Sequence, residues 1–305
     1  MRVVVLAYHD MGCAGLEVLK RGGDEIVAVY THRDDPQEEV WFGSVAETAR
    51  RFDLPVHFPD DINAPTWVEH VRQQAPDILF SFYYRRIVSP EILAIPPRGA
   101  LNLHGSYLPY YRGRAPVNWV LVHGERETGV TLHYMNERAD AGDIVAQRKI
   151  AIEPHDTAHS LHVKVVREGK RLLSEMLPAI REGTNPRTPQ DQQAGSTFGR
   201  RRPEDGRIDW SRPAREVYDL VRAVTHPYPG AFTFLGGQRL VVWWARPESG
   251  ASPGPGIAIP FEGGLRVGTG EGLLRLLSVQ LEGGPETSAA ELLIHRPLAA
   301  GTKLE

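Results

Sequence analysis

Three polar side chains, each at the end of an apolar run or just after one, are of the types that acyl transfer needs: Asn102, His104 and Asp140. Asn102 and His104 lie two positions apart, so along a β-strand their side chains emerge on the same face. An amide can donate a hydrogen bond to a developing oxyanion, and an imidazole can move protons near neutral pH. Asp140 follows the apolar run at 129–135, and beside His104 its carboxylate would orient the ring and favour the imidazolium form. A second interpretation stays open, in which Asn102 and His104 only satisfy backbone groups at a sheet edge.

Three histidines have a spacing that could hold a metal ion. His155, His159 and His162 stand at i, i+4 and i+7, which places side chains on one face of a helix. A His-Glu-x-x-His motif is missing, and the one cysteine of the chain is remote in sequence. We therefore favour a partly exposed helix face over a zinc site, and we expect no metal.

An arginine run lies in the polar stretch between residues 182 and 206. Arg200 and Arg201 could bind a diphosphate, because a guanidinium group forms bidentate contacts with phosphate oxygens. The alternative is a solvated charge run. Arg202 is expected to face solvent.

The sequence around these residues predicts the elements that position them. Up to about residue 180, apolar runs alternate with amphipathic helical stretches, a rhythm typical of a mostly parallel sheet covered on both faces. Ligands of such α/β sheets bind at the carboxyl ends of the strands, where Asn102 and His104 are predicted. We expect a loop after the first strand, followed by a helix at 14–20. Gly12-x-x-Gly15 lacks the full dinucleotide motif, so binding of NAD is not expected. The predicted strands are 3–7, 26–30, 54–58, 77–82, 100–104, 129–135 and 144–152.

The composition changes after the long helix predicted at 157–180. Residues 182–206 are polar and rich in Pro, Gly and Gln, so they are the best linker candidate. After a helix at 214–224, short β-type runs between Gly and Pro turns predict a small OB-like barrel. We expect a Rossmann-like catalytic domain at 1–203, which contains the linker, and an OB-like C-terminal domain at 204–305.

Composition and charge limit the classes of function. The 305 residues are 41% hydrophobic, and the one cysteine, Cys13, cannot form an intrachain disulfide. A net charge of −3 gives no general attraction to nucleic acid or to an anionic membrane. The apolar run at the N-terminus is too short for a secretory signal or a membrane span. We expect a soluble cytoplasmic protein with small-molecule substrates, no nucleic-acid partner and no membrane insertion.

Longer motifs extend the interpretation. Residues 102–113 fit Asn-x-His-x-Ser-x-Leu-Pro-x-x-Arg-Gly, and residues 140–142 fit Asp-x-Gly. The chain resembles the 10-formyltetrahydrofolate-dependent formyltransferases, which share both motifs. The likeness is greatest to the branch that formylates UDP-4-amino-4-deoxy-L-arabinose, found as a domain of bifunctional polymyxin-resistance proteins. The segments that carry this likeness are 81–85, 112–122, 129–133, 138–142, 198–201 and 228–232.

The resemblance implies a role for each matching residue. Asn102 would stabilise the tetrahedral oxyanion, His104 would transfer the proton, and Asp140 would support the charged form of His104. The formyl donor would be 10-formyltetrahydrofolate, and no metal would be needed. The product would serve lipid A modification and resistance to cationic peptides. The folate-binding residues that the resemblance implies are Arg86, Ile87, Val88, Arg114, Asn136, Glu137, Arg138, Ala139 and Asp140.

Three other functions are alternatives to formyl transfer to a UDP-linked aminopentose. A methionyl-tRNA formyltransferase must hold a polyanion, but residues 206–305 contain ten Lys and Arg and ten Asp and Glu, a net charge of zero. A formyltransferase that acts on a dTDP-linked aminohexose would use the same chemistry. A catalytically idle OB-containing binding module is disfavoured, because Asn102, His104 and Asp140 are all present.

Overall fold

A seven-stranded sheet organises the first part of the chain in the computed structural model, which describes residues 1–35 and 39–305. Its order is β3-β2-β1-β4-β5-β7-β8, parallel from β3 to β5 and antiparallel at β7 and β8. A separate short pair is formed by β6 and β9. The predicted α/β fold with a mostly parallel, Rossmann-like sheet is confirmed. The strands named here are β1 (Arg2–Ala7), β2 (Glu25–Tyr30), β3 (Val56–His57), β4 (Ile78–Phe82), β5 (Ala100–His104), β6 (Arg112–Gly113), β7 (Glu127–Tyr134), β8 (Ile144–Ala151) and β9 (Thr197–Phe198).

Helices follow the strands, and the central strands are buried along their length. All five residues of β4 are buried, as expected for a parallel strand covered on both faces. Ser44 caps α2 as its position predicts, because its hydroxyl accepts a hydrogen bond from the Glu47 N–H. No helix in the described part of the chain is long and apolar enough to cross a membrane. The helices of this part are α1 (His9–Arg21), α2 (Val45–Arg51), α3 (Pro65–Gln73), α4 (Pro90–Leu93), α5 (Pro116–Val122) and α6 (Ala158–Glu182).

The beginning of α1 differs from the prediction of a loop followed by a helix at 14–20. The helix begins at His9, immediately after β1. Gly12 and Gly15 are both buried because the helix packs closely on its neighbours. A Cβ at Gly15 would lie 2.4 Å from the Phe82 ring, and one at Gly12 would lie 2.6 Å from Val45. These glycines therefore permit close packing of the helix rather than form a loop.

A second antiparallel sheet occupies the C-terminal part of the chain. Its path is β10-β11-β14-β13-β12, with β15 paired to β14. Leu304 bridges the end of β10, and Lys303 bridges Ile257 just before β12, so the last residues connect the two edges into a small barrel. The predicted second, β-rich domain is confirmed. Its elements are α7 (Ala214–Val224), β10 (Ala231–Leu235), β11 (Gln238–Glu248), β12 (Ala258–Phe261), β13 (Gly264–Gly268), β14 (Leu273–Leu281), β15 (Glu286–Ser288) and α8 (Ala289–His295).

The chain divides into two compact units that are each discontinuous in sequence. The catalytic residues predicted from the sequence, Asn102, His104 and Asp140, all belong to the first unit. Much of the stretch predicted as a linker also belongs to it, because β9 pairs with β6 and Thr188 bridges Ile144. The first unit contains Met1–Pro116, Glu127–Ala151 and His162–Gly199, and the second contains Val117–Arg126, Ile152–Leu161 and Arg200–Glu305.

Candidate active site

The end of β5 carries the candidate site. Two-residue alternation along this strand turns Asn102 and His104 to one side, as the spacing predicts. β5 is parallel to β4 and antiparallel to β7, so it lies where the sheet changes direction. Asn102 is paired in register with His133 of β7, and the Asn102 Nδ2 lies 3.1 Å from the His133 Nε2.

Asp140 is the centre of a buried polar cluster. Its Oδ1 accepts a hydrogen bond from Asn102 Nδ2 at 3.2 Å and lies 3.6 Å from the Nδ1 of His104. Its Oδ2 accepts the backbone N–H of Gly113 at 2.8 Å. The structure therefore brings Asn102, His104 and Asp140 into one cluster, although only the first two are close in sequence.

The ionised form of Asp140 is stabilised by its neighbours. Burial by itself raises the pKa of the Asp140 carboxyl, but the charge of the His104 imidazole and the hydrogen bond from the N–H of Gly113 lower it more. The resulting pKa lies well below the usual range of an aspartic acid. Asp140 is therefore a carboxylate at every pH at which the enzyme would work.

The ring of His104 is held at Nε2 by a hydrogen bond, and its Nδ1 faces Asp140. Its Nε2 lies 2.9 Å from the carbonyl oxygen of Tyr111, which can only accept a hydrogen bond, so the Nε2 carries a hydrogen. A proton on the other nitrogen, Nδ1, would face the Oδ1 of Asp140. Tyr111 adopts a φ of +59°, in the left-handed region that non-glycine residues seldom enter. The loop after β5 is thus bent so that a peptide carbonyl meets the imidazole.

His133 is a further member of the cluster, and neither the strand alternation nor the two motifs indicate it. Its ring is buried, its Nδ1 donates to the Tyr134 carbonyl at 2.8 Å, and its Nε2 accepts from Asn102. The Nε2 is also 3.5 Å from the Oδ1 of Asp140. An isolated histidine within the apolar strand 129–135 is the sequence signal that could have indicated it. Both N–H groups of Asn102 are engaged, by His133 and Asp140, so donation to an oxyanion requires one of these bonds to open.

The residues implied as folate contacts are those of two loops, together with Arg114. Arg86 and Ile87 are exposed, whereas Val88 is buried. The carbonyl of Ile87 accepts a hydrogen bond from the Asn63 side chain, which holds this segment in place. Arg114 donates to the carbonyl of Arg85 at 2.6 Å.

The second of these loops runs from residue 136 to residue 140. Asn136, Glu137, Arg138 and Ala139 are exposed, and the loop leads directly into Asp140. The side-chain oxygen of Asn136 accepts the Arg138 N–H at 3.0 Å, which closes a local turn.

The arginine run begins the last segment of the second unit. Arg200 and Arg202 are exposed, and Arg201 is partly buried, with its guanidinium carbon 4.6 Å from the centre of the Trp119 ring. Arg201 also donates to the carbonyl of Asp205. Burial lowers the pKa of Arg201, and the charge of Asp205 partly opposes this.

The three histidines of the i, i+4, i+7 pattern do not form a common site. His155 bonds to the hydroxyl of Tyr218, His159 is exposed, and His162 Nε2 lies 3.0 Å from a carboxylate oxygen of Asp10.

Among the described residues, His9, Asp10 and His162 are a group whose ligand atoms lie within 4.8 Å of one another. One oxygen of Asp10 accepts from His162 and the other accepts the N–H of Gly43 at 2.7 Å. This network fastens the start of α1 to α6.

Comparison with known proteins decides the family. The formyl transferase domain matches residues 1–177, and the formyl transferase C-terminal domain matches residues 201–297. The chain belongs to the formyl transferase family. The resemblance inferred from the sequence motifs is confirmed at this level.

Solved structures show the same fold at low sequence identity. An N-formyltransferase from Helicobacter canadensis, in complex with folinic acid and dTDP-3-aminofucose, matches at 20% identity and a TM-score of 0.72, over 94% of this chain and 100% of that chain. WlaRD, a sugar 3N-formyl transferase with dTDP and 5-N-formyl-THF, matches at 17% identity and a TM-score of 0.69, over 93% and 99%. HypX from Aquifex aeolicus matches at 20% identity and a TM-score of 0.65, over 97% of this chain but 47% of its own.

We predict that Asp140 makes stability depend on pH in acid. Its pKa in the folded protein is lower than in the unfolded chain, so its contribution is complete above about pH 4 and is lost as the pH falls towards the folded value. Between about pH 4 and pH 2.5, the unfolding free energy of the wild type should fall more steeply than that of Asp140→Asn, by up to about 1.4 kcal/mol per pH unit at the acid end.

Urea denaturation at each pH measures this difference. Asp191→Asn, at an exposed position, serves as the matched control and should follow the wild type. Parallel pH dependences for the wild type and Asp140→Asn would contradict the assignment of a stabilised carboxylate.

Proposed function

We propose that this chain transfers the formyl group of 10-formyltetrahydrofolate to the 4-amino group of UDP-4-amino-4-deoxy-L-arabinose. The observation that carries the proposal is the hydrogen-bonded cluster of Asn102, His104 and Asp140 at the end of β5, in which His104 is buried and the other two are partly buried. A formyltransferase needs an oxyanion donor and a proton carrier, and these side chains are of the required types. The choice of a folate donor is supported by the related enzymes that were crystallised with folinic acid or 5-N-formyl-THF.

The proposed reaction needs one proton to move between two nitrogens. The free sugar amine attacks the formyl carbon, and the electrons of the C=O bond move to oxygen. The tetrahedral adduct then collapses, so the bond from carbon to N10 breaks while the new amide bond stays. The ammonium group loses a proton and N10 gains one. His104 would carry that proton, with Asp140 remaining ionised beside it.

Asn102 would stabilise the adduct. Its amide would turn one N–H from a partner in the cluster to the developing oxyanion, and such a donor contributes about 3–4 kcal/mol in comparable sites. His133 would keep the amide oriented during this exchange, because its Nε2 accepts the other N–H.

The donor would bind beside this cluster. Arg86, Ile87 and Val88 would supply main-chain contacts, and Arg114 with the loop 136–140 would complete the folate pocket. Support comes from the exposure of residues 136–139 next to Asp140, and from the hydrogen bond that joins Arg114 to the segment before Arg86.

The choice of acceptor is supported by the long sequence motifs that the chain shares with the branch that formylates UDP-4-amino-4-deoxy-L-arabinose. The product would then serve lipid A modification and resistance to polymyxin, and we propose the cytoplasm as the place of the reaction. A dTDP-linked aminohexose is the second candidate acceptor, because the relative from Helicobacter canadensis was crystallised with dTDP-3-aminofucose. We also propose domain limits of 1–203 for the catalytic domain and 204–305 for the OB-like domain.

We predict that His104→Ala and Asp140→Ala each lower turnover by a factor of roughly 10² to 10⁴, because each removes part of the proton transfer. Formation of tetrahydrofolate can be followed with saturating donor and acceptor. His159→Ala, which changes an exposed histidine, is the control and should keep wild-type turnover. A folded His104→Ala protein with undiminished turnover would rule out the mechanism.

The acceptor panel tests the substrate. We expect formyl transfer to UDP-4-amino-4-deoxy-L-arabinose, much weaker transfer to a dTDP-aminohexose and negligible transfer to methionyl-tRNA. All three acceptors should be compared at the same low salt concentration, where non-specific binding of tRNA is strongest. Preference for the dTDP-sugar or for tRNA would replace the acceptor but leave the formyl chemistry intact.

Arg200 and Arg201 are proposed to bind the diphosphate of the acceptor. Loss of one charge-assisted contact costs about 1.5–3 kcal/mol, so Arg200→Ala or Arg201→Ala should weaken UDP binding by roughly 10- to 150-fold. Calorimetric titration with UDP and with a folate analogue separates the two subsites, and Arg202→Ala is the control. Unchanged UDP affinity in both variants would assign these arginines to the solvated surface. Weakened folate binding instead would assign them to the donor side.

A further inference from the structure

Residues 188–198, the return segment, lie against the cluster of Asn102, His104 and Asp140. The segment begins at Thr188, which exchanges two backbone hydrogen bonds with Ile144. It ends as β9, beside β6. Between these points it touches both loops that shape the cluster: the loop that carries Asp140 and the loop that carries Tyr111.

Gln190 uses both ends of its side-chain amide in this contact. The residue is buried, and its Nε2 donates to the carbonyl of Asp140 at 2.9 Å and to the carbonyl of Gly142 at 2.7 Å. Its Oε1 accepts from the guanidinium of Arg112 at 2.8 Å, and Arg112 is buried as well. Gln192 donates to the carbonyl of Ala141, which lies between the other two. Two glutamines therefore donate hydrogen bonds to three successive carbonyls of the loop that carries Asp140.

We propose that Gln190 is a positioning residue, whose amide holds the turn that carries Asp140 so that the carboxylate meets Asn102 and His104. The expected effect of Gln190 on turnover rests on the proposed function. The effect of Gln190 on the position of Asp140 can be measured without turnover.

The backbone at Asp140 explains why such a support is needed. Asp140 adopts a φ of +54°, in the left-handed region, which aspartate enters more readily than most non-glycine residues but still at a cost in free energy that contacts such as those of Gln190 offset. The next turn is equally constrained, because a Cβ at Gly142 would lie 2.0 Å from the carbonyl oxygen of Tyr134. Without the donors of Gln190, the two carbonyls that flank this turn lose their partners and the loop is free to relax.

The variant Gln190→Glu separates positioning from simple folding. A glutamate keeps an acceptor for Arg112, now as an ion pair, so the buried guanidinium retains a partner. It has no N–H to give to the carbonyls of Asp140 and Gly142, and its negative charge repels their oxygens. Gln193→Glu is the matched control, because it introduces the same charge at an exposed glutamine of the same segment.

The backbone amide of Gly113 reports the position of Asp140 directly, since it donates to the Oδ2 of that residue. The amides on either side donate to the return segment instead: Arg112 to the carbonyl of Ser196, and Arg114 to the carbonyl of Phe198. Amide hydrogen exchange followed by NMR on the full chain thus distinguishes movement of Asp140 from detachment of the segment.

We expect two results for Gln190→Glu. Exchange at Gly113 should become at least about tenfold faster, while exchange at Arg112 and Arg114 stays near wild type and the melting temperature falls only in proportion to the two lost hydrogen bonds. Turnover should fall by roughly 10- to 100-fold with little change in the KM for the acceptor, because a small misplacement of a reacting group lowers the rate of chemistry. Gln193→Glu should leave all of these quantities unchanged.

Other outcomes overturn the inference. Wild-type turnover, or lower turnover with wild-type exchange at Gly113, would show that Gln190 does not act through Asp140. Faster exchange at all three amides with a lower melting temperature would show a structural role only. If the wild type formylates none of the acceptors, the proposed function fails, and exchange at Gly113 alone then decides whether Gln190 positions Asp140.

Discussion

The arrangement of the candidate site depends on one carboxylate, that of Asp140, whose side chain is only 12% exposed. A charged group removed from water is costly unless hydrogen bonds and opposite charges replace its hydration. Around Asp140 the replacements come from distant parts of the sequence: an amide and an imidazole on β5, and the N–H of Gly113. Strand order, loop conformation and the return segment must all be correct before this carboxylate is satisfied. The same requirement fixes the positions of the side chains in the cluster, which the proposed proton transfer would need.

The change of strand direction at β5 explains where the cluster forms. β4 lies parallel on one side of β5, and β7 lies antiparallel on the other. The antiparallel neighbour brings His133 opposite Asn102, and β7 then ends beside the start of β5, where Tyr134 pairs with Leu101. From there the loop after β7 runs back along β5 and brings Asp140 to Asn102 and His104.

Part of the site could be predicted from local sequence. Two-residue alternation places Asn102 and His104 together, and the motif around Asp140 indicates its relation to them. His133 requires the register between β5 and β7, which no local pattern encodes. Gln190 could not be predicted, since it lies in a stretch whose polar composition is typical of a linker. Composition does not reveal which side-chain amides find partners in the folded chain. Short elements such as α4 and α8 contain too few turns to give a clear helical period.

In the proposed reaction, the low pKa of Asp140 would also decide where the moving proton rests. A proton that reaches Nδ1 of His104 faces the Oδ1 of Asp140 at 3.6 Å. If the carboxyl group had a high pKa, it would take the proton and the imidazole would lose its proposed role as carrier. Because the charge of His104 and the Gly113 N–H hold that pKa well below its usual range, the carboxylic acid form is disfavoured. The proton would therefore stay on the ring, from which the proposed mechanism passes it to the leaving nitrogen, and Asp140 would contribute through its charge and its position alone.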